Sequence, residues 1–191
     1  AGNNTGQSIT GVGFQPDWVW IKSRTATERH CLTDVVRGVN KELRCNEAAA
    51  ESDRASYGGL SAFGTDGFTI GADDGYNNGG NNYVSWNWKA GGAGSSNTGG
   101  SITSTVSANA TSGVSIIKYT GTGSAATVGH GLSAIPKMII IKGLTNTSAE
   151  NWRVFHHKTS AQRLIWNDAD AAGNSTDFGA NGSGGTITQN I

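Results

Sequence analysis

The chain alternates short runs of β-branched and aromatic residues with glycine-rich breaks, a pattern typical of short strands joined by tight turns. Residues 18–21 and 138–141 are apolar without alternation, as in a short strand that is covered on both faces. Residues 83–89 alternate instead, and the two predicted faces of that strand are Tyr83, Ser85 and Asn87 on one side and Val84, Trp86 and Trp88 on the other. These patterns predict an all-β fold.

Two hairpins are predicted from turn residues. Residues 30–36 and 41–46 flank a turn at 37–40, and residues 60–63 and 67–70 flank a turn that contains the dipeptide Asp66-Gly67.

Three further segments are assigned by composition. Residues 114–119 predict another strand, and residues 91–100 read as a flexible Gly/Ser linker. Residues 47–53, with three alanines, form the one plausible helical turn, with a simple loop as the alternative.

The chain also resembles itself. Residues 11–22 match residues 131–142, and the two prolines, Pro16 and Pro136, fall at the same place in the two segments, 120 residues apart (136 − 16). Residues 43–46 resemble residues 164–167 at an offset of 121 (164 − 43). Because the register holds over several segments, duplication is favoured over a chance likeness of two Gly-rich strands.

The predicted architecture is an internally duplicated, antiparallel β-sandwich of jelly-roll-like type. Residues 1–92 form the first unit, without an opening strand; residues 93–113 form a linker and connecting strand; residues 114–191 form the second unit, without a counterpart of residues 83–89. Open sheet edges recruit partners. The missing strands are therefore expected from chain outside this stretch, from a neighbouring subunit or from the other unit.

Charge and hydropathy narrow the function classes. Lysine plus arginine and aspartate plus glutamate are 14 each, so no basic excess is present to follow a phosphate backbone. No stretch approaches the roughly 18 apolar residues that span a bilayer. No nucleic-acid partner and no membrane insertion are predicted. The chain begins without methionine or a signal-peptide pattern, which predicts processing, trimming or a fragment.

Four segments carry a family resemblance: residues 11–24, 34–38, 66–71 and 83–92. In this order they resemble a repeat family of marine bacteriophage and prophage virion proteins, tail-fibre-like or uncharacterised. The second unit departs from the pattern, since Ala134-Ile135 replaces Phe14-Gln15 and no counterpart of residues 66–69 stands near Phe178.

The resemblance implies a virion structural protein on the particle surface: a fibre, decoration or tail-associated subunit that assembles with other virion subunits and as a homo-oligomer. The alternative is a receptor-binding module that recognises host surface polysaccharide.

No enzyme, metal site or cofactor is predicted. The chain has no Gly-x-Ser-x-Gly nucleophile elbow, and its acidic residues lie in polar stretches typical of solvated surface. Oxygen-rich loops at Asp73-Asp74 and at Asp168 and Asp170 lack the ligand spacing of a calcium loop and contain the residues that turns favour.

Glycan contact is the one binding site proposed from sequence. Sugar sites combine an aromatic ring with amide hydrogen-bonding groups, and the candidates of this kind are Tyr76, Asn77, Asn78, Asn81, Tyr83 and Trp152. The alternative reading of the tryptophans places Trp18, Trp20, Trp86 and Trp88 in the sandwich core, since aromatic rings dominate core burial.

Cys31 and Cys45 are the only cysteines and lie symmetrically about Gly38. A hairpin with Gly38 at its tip would bring them face to face. Two free buried thiols are the alternative, as expected of a protein made in a reducing cytosol.

Overall fold

The structure is a computed structural model that describes residues 1–145, 150–159, 162–169 and 172–174. Within these ranges the strands form four sheets, and every strand pair is antiparallel. The helical elements there are one turn of α-helix, α1 (Asp74–Asn77), and one 3-10 turn (Ala55–Tyr57). The all-β prediction is therefore confirmed. None of the helices described is long and apolar enough to cross a membrane.

The strands in chain order are β1 (Gln7–Thr10), β2 (Trp18–Ser23), β3 (Cys31–Asp34), β4 (Lys41–Arg44), β5 (Ser52–Asp53), β6 (Leu60–Gly64), β7 (Gly67–Ile70), β8 (Tyr83–Trp88), β9 (Ser95–Asn97), β10 (Ser104–Asn109), β11 (Val114–Lys118), β12 (Met138–Ile141), β13 (Arg153–His156), β14 (Gln162–Ile165) and β15 (Gly173–Asn174). The four sheets have the orders β1-β7-β6, β5-β4-β3-β2-β8, β11-β10-β9 and β12-β13-β14-β15. Both predicted hairpins are confirmed, as β3-β4 and as β6-β7.

The main core lies between the five-stranded sheet and the sheet β1-β7-β6. Val19, Ile21 and Cys31 from the larger sheet pack with Leu60 and the other buried members of the cluster, which are Phe68, Ile70 and Tyr76. β2 alternates between fully buried and half-buried positions instead of being buried throughout, because its opposite face carries the large rings of Trp18 and Trp20.

The turn between β6 and β7 holds the connection from β1 to β2. Asp66 accepts hydrogen bonds from the backbone N–H groups of Gly11 (3.0 Å) and Gly13 (2.6 Å). Both glycines have positive φ, +88° and +84°, a conformation that other residues adopt at a cost. These contacts lower the pKa of Asp66, because the backbone N–H groups stabilise its charged form. The neighbouring Gly67 lies so close to the Ile9 carbonyl that a side chain would collide with it.

Of the two readings of residues 47–53 the loop is correct, and it ends in β5. The α-helical turn occurs instead at Asp74–Asn77, where Asp73 accepts the Gly75 N–H at 2.9 Å as a helix cap. Residues 91–100 are not simply a linker, because β9 lies within them and pairs with β10. The predicted strand at 114–119 is β11, and it pairs with β10 and not with the fourth sheet.

The fourth sheet repeats the pairing order of the second. β2-β3-β4-β5 are joined in the same sequence as β12-β13-β14-β15. Leu32 lies opposite Leu43, and Val154 lies opposite Leu164. The separation between Leu32 and Val154 is 122 residues (154 − 32), close to the offset of 120 between the prolines. Residues 175–191 of the predicted second unit, including Phe178, lie outside the described residues.

Candidate functional site

A tryptophan face lies on the five-stranded sheet, on the side away from the main core. The register of β2 and β8 places Trp18 opposite Trp88 and Trp20 opposite Trp86. The ring centroids of these pairs are 4.4 Å and 4.7 Å apart. Direct cross-strand neighbours are the closest side-chain pairs in a sheet, so the alternation of the two strands builds this face. It also confirms the predicted division of β8 into two faces.

The same face continues onto the fourth sheet. Trp166 meets Trp20 edge-on at 5.5 Å, and Trp152 meets Trp166 at 5.5 Å. All six tryptophans of the chain therefore belong to one surface. Leu32, Leu43, Cys45 and Trp152 are its buried members, with Ile140 and Leu144 packed against them.

Hydrogen bonds join the two sheets along this contact. The Trp152 indole N–H donates to the Arg44 carbonyl at 2.9 Å. Glu51 N–H donates to the Leu144 carbonyl at 3.0 Å, and Glu150 N–H donates to the Ala48 carbonyl at 3.1 Å. The loop after β4 thus lies against the segment between β12 and β13.

The tryptophan face opens to solvent at Trp86, which is 42% exposed. A shallow groove begins there and is lined by Lys22, Ser23, Arg24, Tyr83, Val84 and Trp86. Lys22 is held in place, because its ammonium donates to the carbonyls of Ser23 (2.7 Å) and Ala26 (3.1 Å). Arg24 is exposed beside it.

The groove combines an aromatic face with cationic and hydroxyl groups. Such a surface can stack on the apolar side of a sugar ring or on a cation, and can offer N–H donors to hydroxyl or carboxylate oxygens. One donor of the tryptophan face, the indole N–H of Trp20, is buried and has no hydrogen-bond partner among the described residues.

Two of the residues proposed for glycan contact are buried inside the protein. Tyr76 is 1% exposed and Asn77 is fully buried. The Asn77 amide accepts from the Asn3 N–H at 3.0 Å and from the Gln7 side chain at 2.7 Å, and donates to the carbonyls of Thr5 and Gly71. Asn77 therefore anchors the first residues of the chain, and neither it nor Tyr76 offers a surface to a sugar.

The remaining candidates are divided between the core and the surface. Trp152 is buried between the sheets, so its ring has no free face. Asn78, Asn81 and Tyr83 are half-buried. The Tyr83 hydroxyl donates to the Asp74 carbonyl at 2.7 Å, while the Tyr83 ring borders the groove. Glycan contact through these three residues stays a prediction.

Sequence reasoning missed Lys22, Arg24 and Trp86 as neighbours of Tyr83. The alternation of β8 assigned Trp86 to a different face from Tyr83, and the alternative reading placed Trp86 in the core. The sequence contains only a weak indication of this groove, because it is the pairing of β8 with the end of β2 that brings these side chains together.

A buried ionic cluster lies beneath the opposite face of the sheet. Arg29 donates to Glu42 at 3.0 Å and also contacts Asp73, which in turn accepts from Arg54 at 2.9 Å. The carboxylates of Glu42 and Asp73 are almost completely buried. The oxygens of Asp73 are therefore occupied by guanidinium groups and by the Gly75 N–H.

No group of three or more His, Cys, Asp or Glu side chains that could hold a metal ion occurs in the part of the chain that the structure describes. Asp170, from the second oxygen-rich loop, lies outside the described residues.

The cysteines are free and lie on opposite faces of the sheet. Cys31 belongs to the main core and Cys45 to the tryptophan face. The reason is the register: Cys31 pairs with Arg44, so the next residue, Cys45, points to the other side. Burial raises the pKa of both thiols, that of Cys45 to about 12. Of the two alternatives, the free buried thiols are correct.

Comparison with known proteins gives a family but no function. Residues 1–189 match the family model described as a domain of unknown function, DUF7483. The chain belongs to this family. No curated protein and no solved structure matches the DUF7483 chain.

Proposed function

We propose that the chain is a structural subunit on the surface of a bacteriophage particle, as a fibre, decoration or tail-associated protein that assembles with neighbouring subunits, itself included. The bacteriophage assignment rests on the resemblance to virion proteins, and one structural observation supports the assembly role. The ladder β2-β3-β4-β5 recurs as β12-β13-β14-β15, and the two ladders contact each other through the tryptophan face. A unit that recurs within one chain and buries an apolar face against its counterpart is the pattern of repeat proteins.

The proposal includes internal duplication of a sandwich-like unit. Two features support duplication: the common pairing order and the separation of 120–122 residues between corresponding positions. The core between the sheets β5-β4-β3-β2-β8 and β1-β7-β6 supports a sandwich in the first unit. Jelly-roll connectivity stays a prediction.

The assembly role is tested with the purified chain and with particles. Analytical ultracentrifugation over a hundredfold concentration range should show reversible or permanent oligomers, and mass spectrometry of purified phage particles should find the protein at a fixed ratio to the other subunits. A chain that stays monomeric at the highest concentration, and that is absent from particles whose genome encodes it, contradicts the proposal.

Glycan binding is the second candidate function, and the groove beside Trp86 favours it. The exposed ring lies among Arg24, Lys22 and Tyr83, which suits a sugar with acidic substituents. A glycan array should show binding that Trp86→Ala removes. Tyr57→Ala is the matched control, because Tyr57 is also an exposed aromatic residue but lies outside the groove. Equal loss in both variants, or no binding by the wild-type chain, contradicts a glycan site in the groove.

A further inference from the structure

The two related strands β2 and β12 differ at one edge. β2 pairs with β3 on one side and with β8 on the other. Among the residues described, β12 pairs with β13 alone. The edge of β12 that corresponds to the β8 side of β2 therefore has no strand partner in the part of the chain that the structure describes.

β8 shows what such an edge binds in the first ladder. It runs antiparallel to β2, with Trp88 opposite Trp18, Trp86 opposite Trp20 and Val84 opposite Lys22. Every second side chain of β8 thus continues the tryptophan face, while its backbone completes the ladder. A single strand therefore pairs with the backbone N–H and C=O groups of the edge and enlarges the apolar surface at the same time.

β12 offers a matching edge. The positions that correspond to Trp18, Trp20 and Lys22 are Met138, Ile140 and Lys142. Ile140 packs at the margin of the tryptophan face. Met138 is 51% exposed, as is Ile135 shortly before it. Exposed large apolar side chains beside an unpaired strand are unusual on a soluble surface, because such edges invite pairing.

We propose that the β12 edge is a strand acceptor that binds an extended polypeptide segment of the β8 type. The segment runs antiparallel to β12 and carries apolar or aromatic side chains at alternate positions, which lie beside Met138 and Ile140. Main-chain hydrogen bonds supply affinity and the alternate side chains supply specificity. The inference rests on the proposed assembly role only for the source of the segment, which is a different polypeptide of the particle, because the chain's own β8 is already paired with β2.

The direct test adds a labelled peptide with the sequence of residues 82–89 to the full chain. Fluorescence anisotropy should show saturable binding, and hydrogen exchange should slow at least about tenfold at the N–H groups of Met138 and Ile140, which point away from β13. Two control peptides should bind at least about tenfold more weakly: a scrambled sequence, and a peptide with proline in place of Val84, whose N–H faces β2 in the first ladder, since proline cannot donate to the ladder.

A pair of surface variants locates the site. Met138→Lys places a charge beside the edge and should weaken peptide binding about tenfold, because edge lysines block strand pairing. Val39→Lys, at an exposed apolar residue in the β3–β4 turn, should leave binding unchanged. Circular dichroism of both variants should match that of the wild-type chain, since both side chains are exposed.

Several results overturn the proposal. The first is absence of peptide binding, and the second is protection from hydrogen exchange at residues 83–88 instead of 138–141. The third is peptide binding that appears only after residues 175–191 are removed, which would mean that these residues of the same chain occupy the edge. Protection of 138–141 that grows with protein concentration without peptide would assign it to a second copy. The assembly role is measured separately by sedimentation and particle composition, so its failure is distinguishable from failure of peptide binding.

Discussion

The two ladders β2-β3-β4-β5 and β12-β13-β14-β15 have the same order of pairing and different surroundings. In the first, Ile21 is 3% exposed and lies in the main core, while the corresponding Ile141 is half-buried. In the first, the buried Glu42 joins an ionic cluster, while the corresponding position in the second ladder is Arg163. Two ladders with the same pairing order therefore differ in burial, because different parts of the chain cover them.

The largest expected effect is a difference in stability loss between substitutions at two matched positions, one in each ladder. Ile21→Ala should lower the free energy of unfolding by about 3–4 kcal/mol, because it leaves a cavity in the main core. Ile141→Ala should cost about 1 kcal/mol, since its side chain is only partly removed from water. Urea unfolding of both variants measures the difference. Equal losses would mean that the second ladder is covered as fully as the first.

The next effect comes from the ionic cluster, which we identify in the first ladder. Asp73→Asn removes the charge shared by Arg29 and Arg54, and should cost about 3 kcal/mol, because Arg54 loses its carboxylate partner and Arg29 keeps only Glu42. Asp53→Asn, which breaks the exposed pair with Lys41, is the control and should give no resolvable change. If both variants are equally stable by urea unfolding, the cluster does not stabilise the first ladder.

A smaller effect should follow from weakening the contact between the ladders. Trp152→Phe loses the hydrogen bond to the Arg44 carbonyl and part of the ring contact with Trp166, and should cost about 2 kcal/mol. Trp86→Phe, at the exposed end of the same face, should cost less than half as much. The measurement is thermal unfolding followed by tryptophan fluorescence. A larger loss for Trp86→Phe would mean that the ladders are joined mainly elsewhere.

The smallest effect concerns acid stability. The pKa of Asp66 is lowered in the folded chain, so its contribution is present above the unfolded pKa of about 3.9 and is lost as the pH falls through the folded value. Asp66→Asn should therefore be less stable than the wild type at pH 6, and this difference should shrink below about pH 4. A stability difference that is the same at pH 6 and pH 3 would show that the charge of Asp66 is not the cause.

Part of the candidate site could be predicted from the sequence. The alternation of β8 predicted which side chains share a face with Trp86, and the turn dipeptide Asp66-Gly67 located the β6-β7 hairpin. Tyr76 and Asn77 could not be placed, because an Asn-rich loop looks the same whether it binds a ligand or holds its own chain. Only the contacts of Asn77 with residues near the start of the chain distinguish these roles.

The sequence by itself determined the all-β class, the principal hairpins and the recurrence of a proline-led apolar strand, because turn chemistry and side-chain alternation are local properties. The tertiary structure alone decided that β8 pairs with β2, that Cys31 and Cys45 lie on opposite faces, and that six distant tryptophans form one surface. These features depend on pairing between residues far apart in the chain, and a one-residue change of register would turn every side chain of a strand to the other face.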